Sequence, residues 1–464
     1  MLQSRAMPLP YPKAVEWYYS FARFDSHTPR ESDHLKLARM NEILARLHNP
    51  HQKFPSVLIA GTKGKGSTAA LLESILRASG YRTGLFTSPH LHSFRERVRV
   101  NGEMISPQRV IATTTRLKRL AREFPHSTFF EWVTALAFLH FRAEHIDIAV
   151  VEVGLGGRLD CTNVLTPRVC VITPISFDHT DILGDTLEKI AFEKAGIIKP
   201  NIPVVVAPQE AEAMQVIEKI AREQNAPLIN VAREWAWQRV GGTRAAQIVR
   251  VRRVNGTRGH RYTLPLQGPH QRANLATALA TLKTLRKHKR DFYLNRVQTG
   301  VAAVVWHARF ELLTPLPPSP EFFSKKLRRG GKVVVDGAHN RASARELVRT
   351  LDEVFPNARV HFIFGASSDK DITGMLQELA PRAASFIFTQ AHHTRAASPD
   401  ALARNAAPFL IAIQTAPTLL EALLRARHLA APTHIICITG SIFIAAEARE
   451  IILRERDIPV ETDA

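Results

Sequence analysis

Short runs of apolar residues alternate with longer amphipathic stretches along most of this chain. Five of these runs indicate buried strands in the first part, at residues 57–60, 82–86, 148–153, 169–172 and 204–207. Five more follow at residues 332–335, 360–364, 385–388, 410–414 and 435–438. Helical spacing of apolar positions separates most of them, which is typical of parallel strands joined by helical crossovers. The chain is therefore predicted to be α/β, with a largely parallel sheet.

A proline-rich and basic stretch separates the two series of strands. Residues 314–330 contain TPLPPSP and then KKLRRG, and both the proline density and the charge run favour a loop. We place the domain boundary slightly earlier, near residue 300. This predicts a larger unit over residues 1–300 and a smaller one over residues 301–464, in agreement with a length of 464 residues.

The most informative segment lies between the first predicted strand and the first predicted helix. Residues 57–68 read VLIAGTKGKGST, and an amphipathic run follows over residues 69–78. A glycine-rich turn at this place gathers backbone N–H groups around a phosphate at a helix N-terminus. Lys65 adds a charge for the outer phosphates, and Ser67 offers a hydroxyl to Mg²⁺. The residues predicted to bind a nucleotide are Gly61, Thr62, Lys63, Gly64, Lys65, Gly66, Ser67 and Thr68.

This loop departs from the usual spacing of nucleoside triphosphate sites, because Gly66 stands between the lysine and the serine. It also fits a loose dinucleotide fingerprint, but that fingerprint needs an acidic residue about 20 positions later to hold a ribose. The next predicted strand ends at Phe86 and is followed by Thr-Ser-Pro, with no acid. We therefore favour a nucleoside triphosphate, with a dinucleotide or a plain glycine-rich turn as alternatives.

A second candidate site residue is Glu152, near the carboxyl end of the strand at 148–153. Ligands of open α/β sheets bind at that edge, and Mg²⁺ held beside phosphates is the natural partner of a carboxylate there. The alternatives are an edge-strand glutamate and a glutamate paired with Arg158. The sequence alone leaves these possibilities open.

Two further candidates follow the strand at 169–172. The pair Asp178–His179 lies past its carboxyl end, which predicts a metal or phosphate role for His179. Lys194 stands in a mostly apolar stretch, where burial would lower the pKa of its amine. A neutral amine can react with CO₂ to give a carbamate that binds a cation. The alternative is a lysine whose charged end extends to solvent.

The composition restricts the class of partner. Lys and Arg number 62 and Asp and Glu 42, a net charge of +20. The arginines are spread along the chain, and the densest stretch, residues 249–261, alternates around an Asn-Gly turn and predicts a β-hairpin with a solvated basic face. No nucleic-acid-binding motif, membrane-length apolar run or signal peptide is found, and the three cysteines lack metal-ligand spacing. We expect a cytoplasmic protein with no membrane or nucleic-acid partner.

Taken together, the motifs resemble those of the dihydrofolate synthase/folylpolyglutamate synthase family within the Mur ligase superfamily. The matching segments are 61–67, 87–91, 96–97, 130–131, 152–163, 176–179, 193–197, 270–274, 306–309, 336–340, 369–371 and 439–441. They occur in the family's order, from the glycine loop nearly to the C-terminus. The resemblance implies a P-loop-type central domain and a smaller Rossmann-like C-terminal domain.

It also implies an ATP-dependent ligase. ATP would phosphorylate a carboxylate of the folate substrate, and the amine of L-glutamate would then displace phosphate to form an amide. The resemblance gives catalytic roles to Lys65, His179 and Lys194. It places one Mg²⁺ at Ser67 and Glu152 and a second cation among Glu152, His179 and a carbamylated Lys194, with K⁺ as a further candidate ion.

The resemblance extends to the substrate contacts. Residues matched to the nucleotide are Asn274, Arg309, Asp336 and His339, the last three from the C-terminal part, so that the two domains should close over ATP. Residues matched to the folate side are Ser88, Pro89, His90, Arg158 and Asp160. The implied partners are ATP, L-glutamate and a folate or pteroate, bound by a monomer.

Two departures from the family's pattern and several alternatives stay open. Lys63 stands where the family usually has Asn, and residues 306–309 lack the Pro and Gly usual before Arg309.

The segment 87–97 resembles bacterial bifunctional members, so both dihydropteroate and folylglutamates are expected as acceptors. A peptidoglycan Mur ligase would carry about 100 residues before the loop, where 56 precede Val57. A nucleotide switch and a nucleic-acid-binding protein are the alternatives from other classes.

Overall fold

The computed structural model describes residues 9–22, 33–288, 293–313 and 332–463. The proline-rich segment predicted to form a loop lies almost wholly outside the described residues. Within them, three sheets are present, and the predicted α/β class with largely parallel sheets is confirmed. None of the helices in these ranges combines the length and apolar composition of a membrane span.

The largest sheet lies in the first half of the chain. Its strands are β1 Ser56–Ala60, β2 Thr83–Phe86, β3 Val98–Val100, β4 Glu103–Met104, β5 Ile148–Glu152, β6 Val169–Ile172, β7 Val204–Val206 and β8 Leu228–Asn230. Their order is β4-β3-β2-β5-β1-β6-β7-β8, antiparallel at β4-β3-β2 and parallel elsewhere. The five predicted strands of this part are all present. The central ones are buried at every position because apolar clusters cover both faces of the sheet.

The second and third sheets follow along the chain. The three-stranded sheet consists of β9 Trp235–Gly242, β10 Gln247–Arg253 and β11 Gly259–Leu264, all antiparallel, which confirms the predicted basic hairpin. The strands of the third are β12 Glu311–Leu313, β13 Lys332–Val335, β14 Val360–Phe364, β15 Ala383–Phe388, β16 Ala412–Thr415 and β17 Ile435–Thr439. The order is β12-β13-β17-β14-β15-β16, parallel except at β12-β13.

Helices surround these sheets. They are α1 Tyr11–Tyr19, α2 Asp33–Arg46, α3 Lys65–Ala78, α4 Pro107–Leu120, α5 Phe129–Ala143, α6 Thr180–Leu183, α7 Leu187–Ala195, α8 Ala211–Glu223, α9 Val231–Glu234, α10 Pro269–His288, α11 Val297–Ala302, α12 Arg341–Val354, α13 Ile372–Leu379, α14 Pro399–Ala406, α15 Leu419–Leu429 and α16 Ile442–Arg454. Several strand boundaries differ from the prediction by one or two residues, and the start of one helix differs by four. The helix expected over residues 69–78 begins at Lys65, because Gly64 caps it with φ of 77° and the loop residues form its first turn.

The start of α5 holds a buried charge that the fold must neutralise. The side chain of Glu131 is fully buried and accepts hydrogen bonds from Nε and Nη2 of Arg39 at 2.8 and 3.0 Å. It also accepts from the N–H and the hydroxyl of Thr128, which caps the helix in turn. This pair ties α2 to α5 beneath the large sheet.

Replacing Glu131 with Ala is expected to lower the free energy of unfolding by about 3 kcal/mol, because Arg39 is mostly buried and would lose its partner. Urea unfolding followed by circular dichroism measures the change. Glu42→Ala removes an exposed acid from α2 and serves as the control, with an expected effect within about 0.5 kcal/mol. Equal losses in the two variants would contradict the role of the buried pair.

Candidate active site

The glycine loop runs from the carboxyl end of β1 into α3. The N–H groups of Thr62 and Lys63 both donate to the carbonyl of Pro174, at 3.0 and 3.1 Å. They are therefore engaged within the protein, and the N–H groups free for an anion are those from Gly64 onward, in the first turn of α3. A helix N-terminus with open N–H groups binds anions such as phosphate.

Two glycines of this loop are required by close contacts. Gly64 has φ of 77°, and a Cβ built there would lie 2.5 Å from Oδ1 of Asn274. A Cβ on Gly66 would lie 2.9 Å from the ring of Trp306. The glycine between the lysine and the serine, which departs from the usual spacing, therefore makes room for an indole that the later part of the chain places over the loop.

Two lysines converge on one backbone carbonyl in the loop. The Nζ atoms of Lys65 and Lys194 each donate to the carbonyl oxygen of Gly61 at 3.1 Å. Lys194 lies in α7 and is 4% exposed, so it does not extend to solvent. Burial, and then the charge of Lys65, lowers the pKa of Lys194 to about 7. Its amine is therefore neutral in a large fraction of molecules at neutral pH.

Glu152 is the last residue of β5 and is 4% exposed. Burial raises the pKa of its carboxyl group, while the charge of Lys65 opposes that rise. Within the described residues, the hydrogen bond it accepts comes from the N–H of Ser88 at 3.1 Å. The suggested pairing with Arg158 is not found, because Arg158 binds Glu193 at 2.8 Å. The carboxylate thus retains acceptor capacity for a further partner.

Four polar side chains surround Asp178, which lies between the large sheet and the third sheet. Its carboxylate accepts from Nζ of Lys370 at 3.2 Å and from Nδ2 of Asn340 at 3.0 Å. The Nε2 atoms of His179 and His339 each lie 3.8 Å from it. Burial alone would raise the pKa of Asp178, but the neighbouring His339, His179 and Lys370 lower it to about 2. The cluster connects the large sheet to the third sheet.

The residues matched to the nucleotide lie beside the glycine loop and beside the Asp178 cluster. Asn274, on α10, contacts Gln271, which in turn donates to the hydroxyl of Ser67 at 3.3 Å. Asp336 accepts from the N–H groups of Phe310 and Ala338, both at 2.8 Å, and so fixes the turn that carries His339. The hydroxyl of Thr68 is buried in α3 and has no hydrogen-bond partner among the residues that the structure describes.

The residues matched to the folate side divide into two groups. Nε2 of His90 lies 3.3 Å from the hydroxyl of Tyr19, and Nδ1 of His90 accepts a hydrogen bond from Nε of Arg97 at 2.8 Å. Ser88 and Pro89 directly precede His90 in the chain. Arg158 and Asp160 lie on the loop after β5. Both carboxylate oxygens of Asp160 accept hydrogen bonds from its own loop, from Gly154, Leu155 and Thr162. Asp160 therefore shapes this loop, and its contact with folate stays a prediction.

A cleft of 1280 Å³ opens beside the Asp178 cluster and is lined from both sides. The glycine loop contributes Lys63 to the lining, and α12 contributes Arg345 and Glu346. Burial lowers the pKa of Lys63 to about 8. Sequence reasoning noted Asp178 beside His179 but gave it no role, and it missed Lys370 and Asn340. The signal for these two was their position in the matching segments 336–340 and 369–371.

Comparison with known proteins decides the family. The Mur ligase middle domain matches residues 59–282, and the Mur ligase glutamate ligase domain matches residues 321–442. The chain is 35% identical over 367 residues to a dihydrofolate synthase/folylpolyglutamate synthase of Bacillus subtilis, covering 78% of this chain and 82% of that protein. The chain belongs to the dihydrofolate synthase/folylpolyglutamate synthase family.

Solved structures of similar proteins agree with this family. Mycobacterium tuberculosis folylpolyglutamate synthase complexed with ADP has a TM-score of 0.82 at 32% identity, covering 95% of this chain and 98% of that one. Escherichia coli FolC in complex with DHPP and ADP has a TM-score of 0.80 at 29% identity, covering 98% and 100%. The resemblance seen in the motifs is thus confirmed over most of the chain.

Replacing Gly64 with Ala is expected to weaken ADP binding by about tenfold or more, because the left-handed φ and the contact with Asn274 both resist a Cβ. Isothermal titration calorimetry measures the affinity. Gly80→Ala is the matched control, since Gly80 also has a left-handed φ of 94° but lies in open space. It should lose about 1 kcal/mol of stability and keep its affinity. Unchanged ADP affinity in Gly64→Ala would contradict this role of the loop.

Proposed function

We propose that this protein is an ADP-forming ligase that joins L-glutamate to the carboxylate of a folate-type acceptor, and that it accepts both dihydropteroate and reduced folylglutamates. The observation that carries the proposal is the convergence of Lys65 and Lys194 at the glycine loop, next to the buried Glu152. Family membership supports the reaction class, and the bifunctional name of the Bacillus relative supports both acceptors.

The first step transfers the γ-phosphoryl group of ATP to the acceptor carboxylate and releases ADP. Lys65 and the open N–H groups of α3 stabilise charge on the transferring group. Lys65 is held at the carbonyl of Gly61, so its ammonium is already in place when ATP binds. The nucleotide is held by Asn274, Arg309, Asp336 and His339. The last three belong to the C-terminal part of the chain, so that part must close against the loop to reach the nucleotide.

The second step is attack of the glutamate amine on the acyl phosphate, which forms the amide and expels phosphate. We assign the entry of L-glutamate to the cleft beside Asp178, which is lined by charges of both signs. L-Glutamate carries an ammonium and two carboxylates, so such a lining matches it. Burial lowers the pKa values of His179 and His339. Both side chains are therefore neutral bases near this entry. Ser88, Pro89, His90, Arg158 and Asp160 belong to the folate side of the same centre.

The described residues fit bound Mg²⁺ beside ATP. No group of three His, Cys, Asp or Glu side chains in the described ranges forms a metal cage. Mg²⁺, however, is usually held by one or two carboxylates, waters and substrate phosphates. Ser67 and Glu152 would hold one ion, and Glu152, His179 and a carbamylated Lys194 a second, with K⁺ as a further candidate. When bound, such ions neutralise charge on the phosphate oxygens.

Three broader features complete the proposal. The chain would divide near residue 300 into units 1–300 and 301–464, and the Asp178 cluster would hold the two units together around ATP. We also propose that the protein acts as a monomer and that it acts in the cytoplasm, without a membrane or nucleic-acid partner. The comparisons with ADP-bound relatives support ATP as the co-substrate.

The reaction is tested by ADP release with each acceptor supplied separately. We expect ADP formation that requires both L-glutamate and an acceptor, with dihydropteroate and with reduced folylglutamate. Omission of L-glutamate is the control and should reduce ADP release to the ATPase background. Turnover with one acceptor only would remove the second activity, and turnover with neither would overturn the proposal.

Lys194→Ala tests the carbamate. We expect kcat to fall by about 100-fold or more, because a ligand to a catalytic cation is lost. A small carboxylate such as propionate, added to the variant, should restore part of the rate, since it can occupy the position of the carbamate. Lys189→Ala, an exposed lysine on the same helix, is the control and should keep full activity. Full activity in Lys194→Ala, or a loss that no carboxylate reverses, would exclude the carbamate.

A further inference from the structure

The segment after α16 leaves the third sheet and contacts the large-sheet side of the molecule. One oxygen of the Asp463 carboxylate accepts hydrogen bonds from the hydroxyls of Tyr11 and Ser93, at 2.5 and 2.7 Å. The other accepts the N–H of Phe94 at 2.6 Å. Three donors from two separate elements thus converge on a single carboxylate. Charge-assisted hydrogen bonds of this kind are about twice as strong as neutral ones.

Further contacts attach the same segment to the same loop. Glu461 forms an ion pair with Arg95, whose guanidinium also donates to the carbonyl of Ile105 at 2.6 Å. Val460 packs against the apolar cluster beneath the third sheet, and Leu91 of the loop packs against that same cluster. The loop is therefore connected to the C-terminal residues through its backbone, through an ion pair and through apolar packing.

The loop that receives these contacts, residues 88–97, carries the predicted folate-side residues. Glu96 holds its backbone by accepting the N–H groups of Leu91, His92 and Ser93. The ring of Phe94 packs against Tyr18 and Tyr19, at centroid distances of 5.0 and 6.4 Å. A shift of Phe94 would therefore move Tyr19, which contacts His90.

We propose that Asp463 and Glu461 are positioning residues that hold loop 88–97 in the geometry that binds the folate-type acceptor. The inference rests on the proposed function for the identity of the acceptor, and on the hydrogen bonds above for the mechanism. Neither residue touches the glycine loop or the Asp178 cluster among the described contacts. Their effect is thus expected on acceptor binding and not on ATP binding.

Steady-state kinetics separate the two effects. In Asp463→Ala we expect the KM for the acceptor to rise about tenfold, because a displaced loop weakens binding at a distance. The KM for ATP and kcat at saturating acceptor should stay within twofold of the wild-type values. Asp463→Asn keeps one acceptor oxygen for Tyr11 and Ser93 and should fall between Asp463→Ala and wild type. Asp457→Asn, an exposed acid in the same segment, is the control and should match wild type.

Hydrogen–deuterium exchange provides a readout that does not depend on turnover. In Asp463→Ala, peptides covering residues 88–97 should exchange faster, while peptides covering residues 57–68 should be unchanged. Equal increases in the KM for ATP and for the acceptor, or unchanged exchange of the loop, would overturn the proposal. Absence of turnover by the wild-type protein would instead contradict the proposed function, and the exchange result would still decide whether Asp463 holds the loop.

Discussion

The arrangement of this site depends on two amines that share one carbonyl. Lys65 and Lys194 approach the oxygen of Gly61 to 3.1 Å each, in a region where Lys194 is almost completely buried. Two like charges gathered at one carbonyl repel, and a neutral carbonyl cannot balance both. Burial, and then the charge of Lys65, lowers the pKa of Lys194 to about 7. Such a site favours an anionic ligand, and the open N–H groups at the start of α3 face the same space.

The same constraint explains why the site needs residues from distant parts of the chain. Glu152 adds a buried negative charge beside the lysines, and Asp178 gathers two histidines, an asparagine and a lysine across the cleft. Three of the partners of Asp178 come from beyond residue 330. Trp306 likewise reaches Gly66 from a segment far along the chain. The C-terminal residues therefore already meet the loop in this structure, and the phosphates of a bound nucleotide would supply the negative charge that balances the lysines.

The sequence predicts the local parts of this arrangement well. The strand, loop and helix at residues 57–78 are contiguous, and Glu152 is marked by its position at the end of an apolar strand. The helix start was placed four residues late because glycine, lysine and serine hide the first turn. Strands β3, β4, β8 and β12 are not predicted because two or three residues carry too little pattern, and β9 is not predicted because its eight residues are half-buried or exposed and show no alternation of buried and exposed positions.

Other parts depend on contacts that no local pattern records. Asp160 has the residue type and position of a ligand contact, yet its oxygens are occupied by its own loop. Asp463 shows no motif, and its partners lie about 370 and 450 positions away in the chain. Long-range pairing of this kind follows from the packing of the two sheets and cannot be read from spacing. The family resemblance supplied positions such as Arg309 and Asp336, which the residues alone did not mark.

The central claim is that the lysine pair and the glycine loop bind a phosphoryl group that is transferred to a carboxylate. It is tested most directly with an acceptor whose reacting carboxylate carries two ¹⁸O atoms. Mass spectrometry of the released phosphate should show one ¹⁸O per molecule, because the acyl phosphate forms through a carboxylate oxygen that leaves with the phosphate when the glutamate amine attacks. Phosphate without ¹⁸O, formed while the amide product accumulates, would contradict the account.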